Sequence, residues 1–380
     1  MKFLLIYVPN LRFNNDPYKK YNLYEFATRV TRKNKDNVSN LPLTISAQYG
    51  LVDQVSFFNK TVASKDMSGY YLLKNGEFAY NKSYSNDYPW GAIKRLDLYD
   101  MGCLSTLYIC FKTNDNIVNS NYLVHYFESS KWHKQVADIA GEGARNHGLL
   151  NIVVNDFFNT KHAVPTIENQ IKIAGFLDLI EKRIQTQIKI IDTLSSQKKQ
   201  IRNLIFKDIH KNVNCCIQDY VIYEQPQKYI VHSTDYLSYG KDYTPVLTAN
   251  QSFILGYTLE KDGIYEKGDC IIFDDFTNEN KYVDFPFKVK SSALKILQTK
   301  EGLMLKFFYE YLQFLNFEST DHKRHYLSEV AVTDISVPNL KEQTFVCKIF
   351  TSFDNKLKNE EALLEKYRLQ KQFFLNNLFI

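Results

Sequence analysis

Two stretches of this 380-residue chain, VPTIENQIKIAGFL (164–177) and VPNLKEQTFVCKIF (337–350), start the same pattern 173 residues apart (337 minus 164). From there, residues 164–206 align with residues 337–379 without a gap. The identical pairs are Val164/Val337, Pro165/Pro338, Gln170/Gln343, Gln197/Gln370, Lys198/Lys371, Asn203/Asn376 and Phe206/Phe379. Internal similarity at a fixed period predicts that one structural unit is used twice in the chain.

Apolar residues in both copies recur at alternating steps of four and three, which is the spacing of a heptad helix. The seam of the first copy consists of Ile173, Leu177, Ile180, Ile184, Ile191, Leu194, Ile201 and Ile205. The seam of the second consists of Val346, Phe350, Phe353, Leu357, Leu364, Tyr367, Phe374 and Leu378. Polar residues interrupt the seams at matching places, Gln187 and Lys198 in one copy and Glu360 and Lys371 in the other. An ordinary amphipathic surface helix also carries an apolar stripe, but two seams in matched register favour two long helices paired as an antiparallel coiled coil.

The starts of the two helices are also marked in the sequence. Asn339 with Glu342 three residues later has the pattern of a capping box, and Thr166 with Asn169 is a weaker version of it. Each pair follows a proline, which favours an extended conformation in the residue before it. A helix of ~40 residues is about 60 Å long, and its narrow apolar stripe requires a partner.

These observations predict an α+β fold with a pseudo-twofold internal repeat. Two mixed, strand-rich globular domains, residues 1–163 and 208–336, are each followed by one long helix, residues 164–207 and 337–380. Antiparallel pairing would place the start and the end of residues 208–336 at the same end of the helix pair. The helices would then act as a spacer of fixed length between the two globular domains.

Short apolar or alternating segments predict strands in the globular domains, and aromatic amphipathic segments predict short helices. The predicted strands include STLYICF (105–111), GDCIIF (268–273) and ALKIL (293–297), and the predicted helices include NSNYLVHYFES (119–129) and KFFYEYLQFL (306–315). The domains also resemble each other: PLTISAQYGLV (42–52) matches PVLTANQSFIL (245–255), and NGEFAYNKS (75–83) matches KGDCIIFDD (267–275). The repeat therefore comprises a whole globular domain and its helix.

The composition, with 44% hydrophobic and 23% charged residues, is that of a soluble globular protein. The 27 Tyr and 27 Phe suit strand-rich domains and stacking surfaces. The apolar run near the N-terminus lacks the small-residue cleavage site of a signal peptide, and no stretch reaches the ~18 apolar residues of a membrane span. The six cysteines include no C-x-x-C pair, so we expect a reducing, cytoplasmic location.

The net charge of +5 is unevenly distributed. Residues 1–165 contain 19 basic and 14 acidic residues, a net charge of +5, whereas residues 208–338 contain 13 basic and 19 acidic residues, a net charge of −6. Bulk charge therefore does not demand a nucleic-acid partner, and any such partner must bind to local patches.

Four features together carry a resemblance to a known family. They are the VP-x-[IL]-x-x-Q helix starts at 164–170 and 337–343, VPNLRF (8–13), YNKSYSNDYPWGAIKRL (80–96), and ARNHGLLNIVVNDF (144–157). With these features, the chain resembles over essentially its whole length the specificity subunit of type I DNA restriction-modification systems. Asn169 departs from the Glu that is usual in the family, whereas Glu342 matches it.

The resemblance implies a non-catalytic subunit in which each globular domain, a target-recognition domain, reads one half of a split site in double-stranded DNA. It implies that the two helices set the distance between the half-sites and dock two adenine-N6 methyltransferase (modification) subunits, and that motor-nuclease (restriction) subunits join for restriction. No cofactor is expected in this chain. S-adenosylmethionine, and ATP with Mg, are expected on the partner subunits.

Base readout requires polar side chains that phosphate contacts hold in place. In the first domain the candidates are Arg29, Arg32, Lys33, Lys35, Tyr80, Lys82, Tyr84, Lys94, Arg95 and Arg145. The first run (28–37) is alternatively a solvated loop, and the second (80–95) is alternatively a turn packed by its own aromatic residues. Arg145 either reaches a phosphate or braces the return of the chain into the helix.

The second domain is acidic, so we expect its DNA contacts to be confined to a smaller part of its surface. The candidates are Asn250, Gln251, Lys281, Tyr282, Lys323 and Arg324, and plain surface loops are the alternative. His322 and His325 stand at the spacing of a metal pair, but no third ligand lies near them in the sequence, and we predict no metal site.

Two other classes of protein compete with this interpretation. A catalytic chain is disfavoured, because NDPY (15–18) has only one of the two prolines of a methyltransferase [DN]-P-P-[YF] tetrapeptide and no phosphate-binding loop is present. A coiled-coil scaffold that binds only protein would use the helices, but it leaves the two large globular domains unexplained.

Overall fold

The structure is a computed structural model that describes residues 18–46, 49–60, 63–84, 88–141, 148–233, 235–236, 243–249, 252–317 and 324–380. The chain divides into two compact units. Unit 1 comprises Met1–Gln187 and Leu363–Ile380, and unit 2 comprises Ile188–Ala362. Each unit therefore contains one globular part of the chain and segments of both long helices.

Unit 1 is built mainly from short antiparallel strands. Its strands are β1 (Lys19–Asn22), β2 (Ala27–Arg29), β3 (Leu43–Ser46), β4 (Gly50–Asp53), β5 (Tyr71–Lys74), β6 (Phe78–Asn81), β7 (Ala92–Arg95), β8 (Met101–Leu104), β9 (Ile109–Thr113) and β10 (Lys161–Val164). Its helices are α1 (Leu23–Phe26), α2 (Gln54–Phe58), α3 (Ser120–Glu128), α4 (His133–Ile139), α5 (Val154–Phe158) and the first part of α6 (Ile167–Ile209). The central sheet has the strand order β2-β9-β6-β7, and β3-β4, β5-β8 and β1-β10 form two-stranded sheets.

Unit 2 repeats this plan. Its strands are β11 (Cys215–Cys216), β12 (Val221–Glu224), β13 (Thr244–Leu247), β14 (Ile254–Thr258), β15 (Cys270–Asp274), β16 (Asn280–Val283), β17 (Lys288–Val289), β18 (Leu294–Thr299) and β19 (Asp334–Ile335). Its helices are α7 (Ile217–Tyr220), α8 (Leu305–Leu315) and most of α9 (Leu340–Leu378). The central sheet is again antiparallel, in the order β12-β18-β15-β16, and β14-β13-β17 form a second sheet.

Several elements of the two units correspond in their order along the chain. A two-stranded pair (β1-β10, β11-β19) brackets each globular part, a one-turn helix (α1, α7) leads into the central sheet, and a longer helix (α3, α8) follows its last strand. The matched segments 42–52 and 245–255 form the hairpins β3-β4 and β13-β14. The predicted α+β fold with a repeated, strand-rich globular domain and two long paired helices is confirmed.

Helices cover the central strands in both units. Aromatic side chains fill the cores between them. In unit 1, the rings of Phe78 and Phe111 stack with centroids 5.3 Å apart across neighbouring strands. In unit 2, the five residues of β15 are all buried, and the Phe273 ring packs against Tyr326.

The long helices run antiparallel within each unit. In unit 1, the ring centroids of Phe176 on α6 and Phe374 on α9 are 4.8 Å apart, and the Arg183 guanidinium lies 5.0 Å from the Tyr367 ring. As the residue number rises on α6, the number of its partner on α9 falls. All sixteen predicted seam residues are buried or half-buried. Among the described residues, no helix combines the length and the apolar character needed to cross a membrane.

A buried glutamine ties the start of α6 to the globular part of unit 1. The Gln170 side-chain oxygen accepts the N–H of Asn119, the N-cap of α3, at 2.7 Å. Its Nε2 donates to the carbonyls of Ile117 at 3.2 Å and of Pro165 at 2.8 Å. We call these three hydrogen bonds the glutamine junction of unit 1.

The same junction recurs at the start of α9 in unit 2. The Gln343 side-chain oxygen accepts the N–H of Met304, the N-cap of α8, at 2.7 Å. Its Nε2 donates to the carbonyls of Gly302 and Pro338, both at 2.8 Å. The VP-x-[IL]-x-x-Q pattern thus supplies both the glutamine and the proline carbonyl that it bonds.

The far end of each long helix packs on the globular helix of the other repeat. Phe379, near the end of α9, lies 5.3 Å from Tyr122 of α3 in unit 1, between ring centroids. Phe206, near the end of α6, lies 5.2 Å from Phe307 of α8 in unit 2. The repeated phenylalanine is therefore an aromatic anchor in both units.

Repeated lysines make matching, half-buried ion pairs. In unit 1, Lys371 contacts Glu128 of α3 at 2.8 Å and Glu181 of α6 at 2.7 Å. Burial alone would raise the pKa of the Glu128 carboxyl, but the ammonium groups of Lys371 and Lys94 lower it to about 2. The carboxylate is therefore charged at neutral pH.

In unit 2, Lys198 contacts Glu310 of α8 at 3.0 Å and Asp354 of α9 at 2.6 Å. Arg202 donates two hydrogen bonds to the other oxygen of Glu310, at 2.7 and 2.9 Å, and Lys306 contacts Glu310 at 3.2 Å. The Glu310 side chain has no exposed surface. It thus joins α6, α8 and α9 through three cations.

Replacing Glu310 with alanine should lower the free energy of unfolding of the protein by about 3–5 kcal/mol, because it leaves buried cations without their shared carboxylate. Chemical denaturation measures the loss. Asp208→Ala is the matched control, since Asp208 pairs with Lys211 at 2.9 Å on the surface, where an ion pair contributes about 0–1 kcal/mol. An equal loss in the two variants would contradict the assigned role of Glu310.

Candidate nucleic-acid interface

Three basic residues from the first predicted run form a surface cluster in unit 1. Arg29 lies at the end of β2, and its Nη2 is 3.4 Å from the hydroxyl of Tyr71 on β5. The Lys33 ammonium lies 4.4 Å from the centroid of the same ring. Arg32 pairs with Glu77 at 2.7 Å. We call Arg29, Arg32 and Lys33 the basic cluster.

The basic cluster has unneutralised charge. Glu77 is buried and also accepts the backbone N–H of Lys74 at 2.8 Å, so it holds Arg32 in place and balances its charge. Within the described part of the chain, Arg29 and Lys33 have no ion-pair partner. Two cations on the surface suit phosphate binding. Lys35 is exposed in the turn that follows.

Tyr80, a predicted interface residue, lies in the core of unit 1. Its side chain is fully buried, its ring stacks on Phe157 with centroids 5.0 Å apart, and its hydroxyl donates to the Trp90 carbonyl at 2.8 Å. Burial raises the pKa of the phenol well above its usual range. The ring also packs on Trp132, so its aromatic partners lie outside the 80–95 segment, and the prediction of a DNA contact is wrong for Tyr80.

Lys94 and Arg95 brace β7 against α3. Lys94 contacts Glu128 at 3.3 Å, and Arg95 donates to Asp97 at 2.6 Å, to Ser120 at 2.9 Å and to Asn121 at 2.7 Å. These partners hold both side chains in place, and the DNA contacts predicted for Lys94 and Arg95 stay predictions.

Lys82 and Tyr84 stay as predictions. Lys82 is half-buried, and burial lowers the pKa of its ammonium group. Tyr84 is 41% exposed, and its backbone N–H donates to the Gly148 carbonyl at 3.0 Å. The structure thus places the two side chains at or near the surface of unit 1.

The described candidates in unit 2 are Lys281, Tyr282 and Arg324. The Tyr282 hydroxyl donates to Asp269 at 2.6 Å, Lys281 is half-buried on β16, and the exposed Arg324 guanidinium lies 5.7 Å from the Phe276 ring. The predictions for Arg145, Asn250, Gln251 and Lys323 lie outside the described residues.

Unit 2 contains a polar cavity that the sequence did not predict. It has a volume of about 180 Å³ and lies where the turn between β15 and β16 meets the end of α8. Its lining includes the carboxamide residues Asn278, Asn280, Gln313 and Asn316, together with Lys281. We call it the amide cavity. The cluster TNENK (277–281) is visible in the sequence, but the distant Gln313 and Asn316 join it only in the fold.

One group of possible metal ligands is present among the described residues. Ligand atoms of His232, Glu260 and Asp262 lie within 4.8 Å of one another. Glu260, however, already contacts the buried ammonium of Lys288 at 2.6 Å and accepts the backbone N–H of His232 at 2.9 Å. The Lys288 ammonium therefore already neutralises the Glu260 carboxylate, and we assign no metal to this group.

Comparisons with known proteins place the fold. The chain is 39% identical over 170 residues to the specificity subunit of the type I restriction enzyme EcoR124I/EcoR124II from Escherichia coli. This match covers 41% of the chain and 41% of the relative, so it spans less than half of the length of either protein. No family model matches the chain.

Two solved structures resemble the chain over nearly its whole length. The type I restriction-modification S subunit from M. genitalium has a TM-score of 0.58 and 14% identity, with 97% of each chain covered. A chain from a study of complex assembly and conformational transition in the type I R-M system has a TM-score of 0.54 and 13% identity, with 94% of this chain and 96% of that one covered. The chain therefore has the fold of a type I restriction-modification specificity subunit, and over the matched 170 residues it is similar in sequence to one.

Proposed function

We propose that this chain is the non-catalytic specificity subunit of a type I restriction-modification complex. Each unit reads one half of a bipartite, asymmetric site in double-stranded DNA. The observation that carries this proposal is repeated in both units. A glutamine fixes the strand-rich globular part to one long helix, and a lysine and a phenylalanine fix it to the other. Two unlike readers on one pair of helices suit a split target.

The proposal extends to partners. Two adenine-N6 methyltransferase subunits would dock on the long helices and bring S-adenosylmethionine, and motor-nuclease subunits would bring ATP with Mg. The similarity to the curated specificity subunit supports this assignment. No observation on the described residues favours the protein-binding scaffold.

Sequencing of DNA methylation in cells with and without the gene tests the proposal. We expect one split motif with methylated adenines that disappears when the gene is deleted and returns when it is restored. An unchanged methylation pattern would overturn the proposed function. The complementing gene with a silent change in the codon for Gln170 controls for effects of expression.

The long helices should set the spacing of the motif. Inserting four residues after Ser195, within α6, adds about 6 Å of helix, equivalent to about two base pairs at ~3.4 Å each. We expect methylation at a motif with a longer spacer and with unchanged half-sites, which serve as an internal control. A variant that methylates the original motif with the original spacer would rule out the spacer role.

The basic cluster should contribute affinity without sequence preference. Arg29→Ala and Lys33→Ala should each weaken DNA binding and reduce the slope of log affinity against log salt by about 1, because each removes one phosphate contact. Titrations of a cognate and a scrambled duplex at several salt concentrations measure this, with Lys134→Ala on the exposed face of α4 as the control. A loss confined to the cognate duplex would instead indicate base contacts.

A further inference from the structure

Arg324 is the only arginine in residues 208–338, the segment of the chain with a net charge of −6. The residue is exposed, and its guanidinium lies 5.7 Å from the centroid of the Phe276 ring. Within the described part of the chain, no carboxylate forms an ion pair with it. An arginine side chain carries five N–H donors, and those of Arg324 are therefore available to a ligand.

The backbone on both sides of this contact is fixed by one residue, Asp275. Its carbonyl accepts the N–H of His325, and its carboxylate accepts the N–H of Tyr326, both at 2.9 Å. Phe276 directly follows Asp275 in the chain, and Arg324 directly precedes His325. Asp275 thus holds the ring and the arginine side by side. A side chain that is positioned before binding loses less conformational freedom when the ligand arrives.

The two acidic residues nearest in the chain to Phe276 are engaged inside unit 2. The Asp275 carboxylate is buried and lies 3.2 Å from the buried Lys295 ammonium. The Asp274 carboxylate is also buried, and its Oδ1 accepts the N–H groups of Phe276 at 2.9 Å and Thr277 at 3.0 Å. Both carboxylates therefore have partners other than Arg324, whose positive charge is presented to solvent.

The shape of the guanidinium selects a class of ligand. Its planar fork donates two parallel hydrogen bonds, which match the adjacent O6 and N7 acceptors of guanine in the major groove. Adenine presents a donor and an acceptor there, so it can accept only one of the two bonds. A phosphate is the other ligand of this shape. The acidic surroundings weaken long-range attraction to phosphates, and a fork held against a ring suits readout that depends on direction.

We propose that Arg324 reads a guanine in the half-site that unit 2 recognises, by donating to O6 and N7 of the base, and that Phe276 is its positioning residue. This inference rests on the proposed function, since it requires unit 2 to bind a specific DNA sequence. A phosphate contact by Arg324 would add affinity without sequence preference, and the experiment distinguishes the two roles.

Three variants and one control separate these roles. Arg324→Lys keeps the positive charge but loses the two-pronged fork, whereas Arg324→Ala loses both. Phe276→Leu keeps an apolar side chain but removes the ring that contacts the guanidinium. Lys290→Ala is the matched control, because it removes another exposed cation from unit 2.

The assay measures the affinity of each variant, in complex with its methyltransferase subunit, for duplexes of the wild-type motif in which one base pair at a time is changed. Melting temperatures are measured in parallel. For both Arg324 variants we expect discrimination at one G·C position of a single half-site to fall about 5- to 150-fold, the effect of one bidentate pair. Lys290→Ala should leave discrimination unchanged at every position.

Phe276→Leu should weaken discrimination at the same G·C position, and less than the loss of the arginine does. Because the ring acts through Arg324, Phe276→Leu should cause no further loss of discrimination in a protein that already carries Arg324→Ala. A purely structural role of the ring would instead lower affinity at all positions, in both backgrounds.

A change in the DNA tests the same hydrogen bonds without altering the protein. Placing 7-deazaguanine at the G·C position removes the N7 acceptor, so the wild-type complex should lose affinity, whereas Arg324→Ala should bind this duplex and the normal one equally well. Inosine at that position is the control. It lacks only the amino group in the minor groove, so the wild-type affinity should be retained.

Three results would overturn the inference. They are an unchanged discrimination profile in Arg324→Ala; an equal loss of affinity at every position, which would mean a phosphate contact or, with a lower melting temperature, a structural role; and full discrimination in Arg324→Lys, which would mean that the charge alone matters. Failure of the proposed function is a separate result, because then the wild-type complex itself would show no sequence-specific methylation.

Discussion

Each unit depends on one buried glutamine that bonds only to backbone groups. Gln170 and Gln343 are 1% and 0% exposed, and each ties together the turn before a globular helix, the N-cap of that helix and the start of a long helix. Because the partners are carbonyls and N–H groups, the neighbouring side chains are free to change. The fold can therefore persist while most of the sequence around the junction diverges, as it has between the two repeats.

The ion pairs at the far ends of the long helices differ between the two units. Lys198 and Lys371 are equivalent in the repeat, and so are their partners Asp354 and Glu181. Arg202, however, has Leu375 at the equivalent place, and it is Arg202 that meets the fully buried carboxylate of Glu310. A leucine there would leave the carboxylate with fewer cations, which is unfavourable in a buried site. The two sets of ion pairs thus share their lysines, but only the set in unit 2 also contains an arginine.

The sequence predicted the elements well and the surface less well, for physical reasons. Heptad seams and the two short helices at 119–129 and 306–315 follow local periodicity, and α3 and α8 lie within one residue of those bounds. Tyr80 and Arg95 follow no such rule. Whether a tyrosine or arginine on a strand faces solvent depends on distant partners, here Phe157 and Asn121, that only the tertiary fold brings near. The amide cavity was missed for the same reason, since its residues come from two separate segments.

Charge pairing within each unit explains how two readers on one plan can differ. In unit 2, two lysines are buried in ion pairs. Lys288 has no exposed surface and pairs with Glu260, and Lys295 is 3% exposed and pairs with Asp275. In unit 1, the basic cluster keeps two cations at the surface beside Tyr71. Under the proposed function, unit 1 would therefore supply much of the salt-dependent attraction to phosphates, whereas unit 2 would have to gain its affinity from short-range hydrogen bonds. Short-range bonds to base edges depend on sequence, and phosphate contacts do not. A mismatch in the half-site of unit 2 should thus lower the DNA-binding affinity more than a mismatch in the half-site of unit 1. The acidic unit has weaker non-specific attraction to phosphates, so more of its affinity depends on the base contacts.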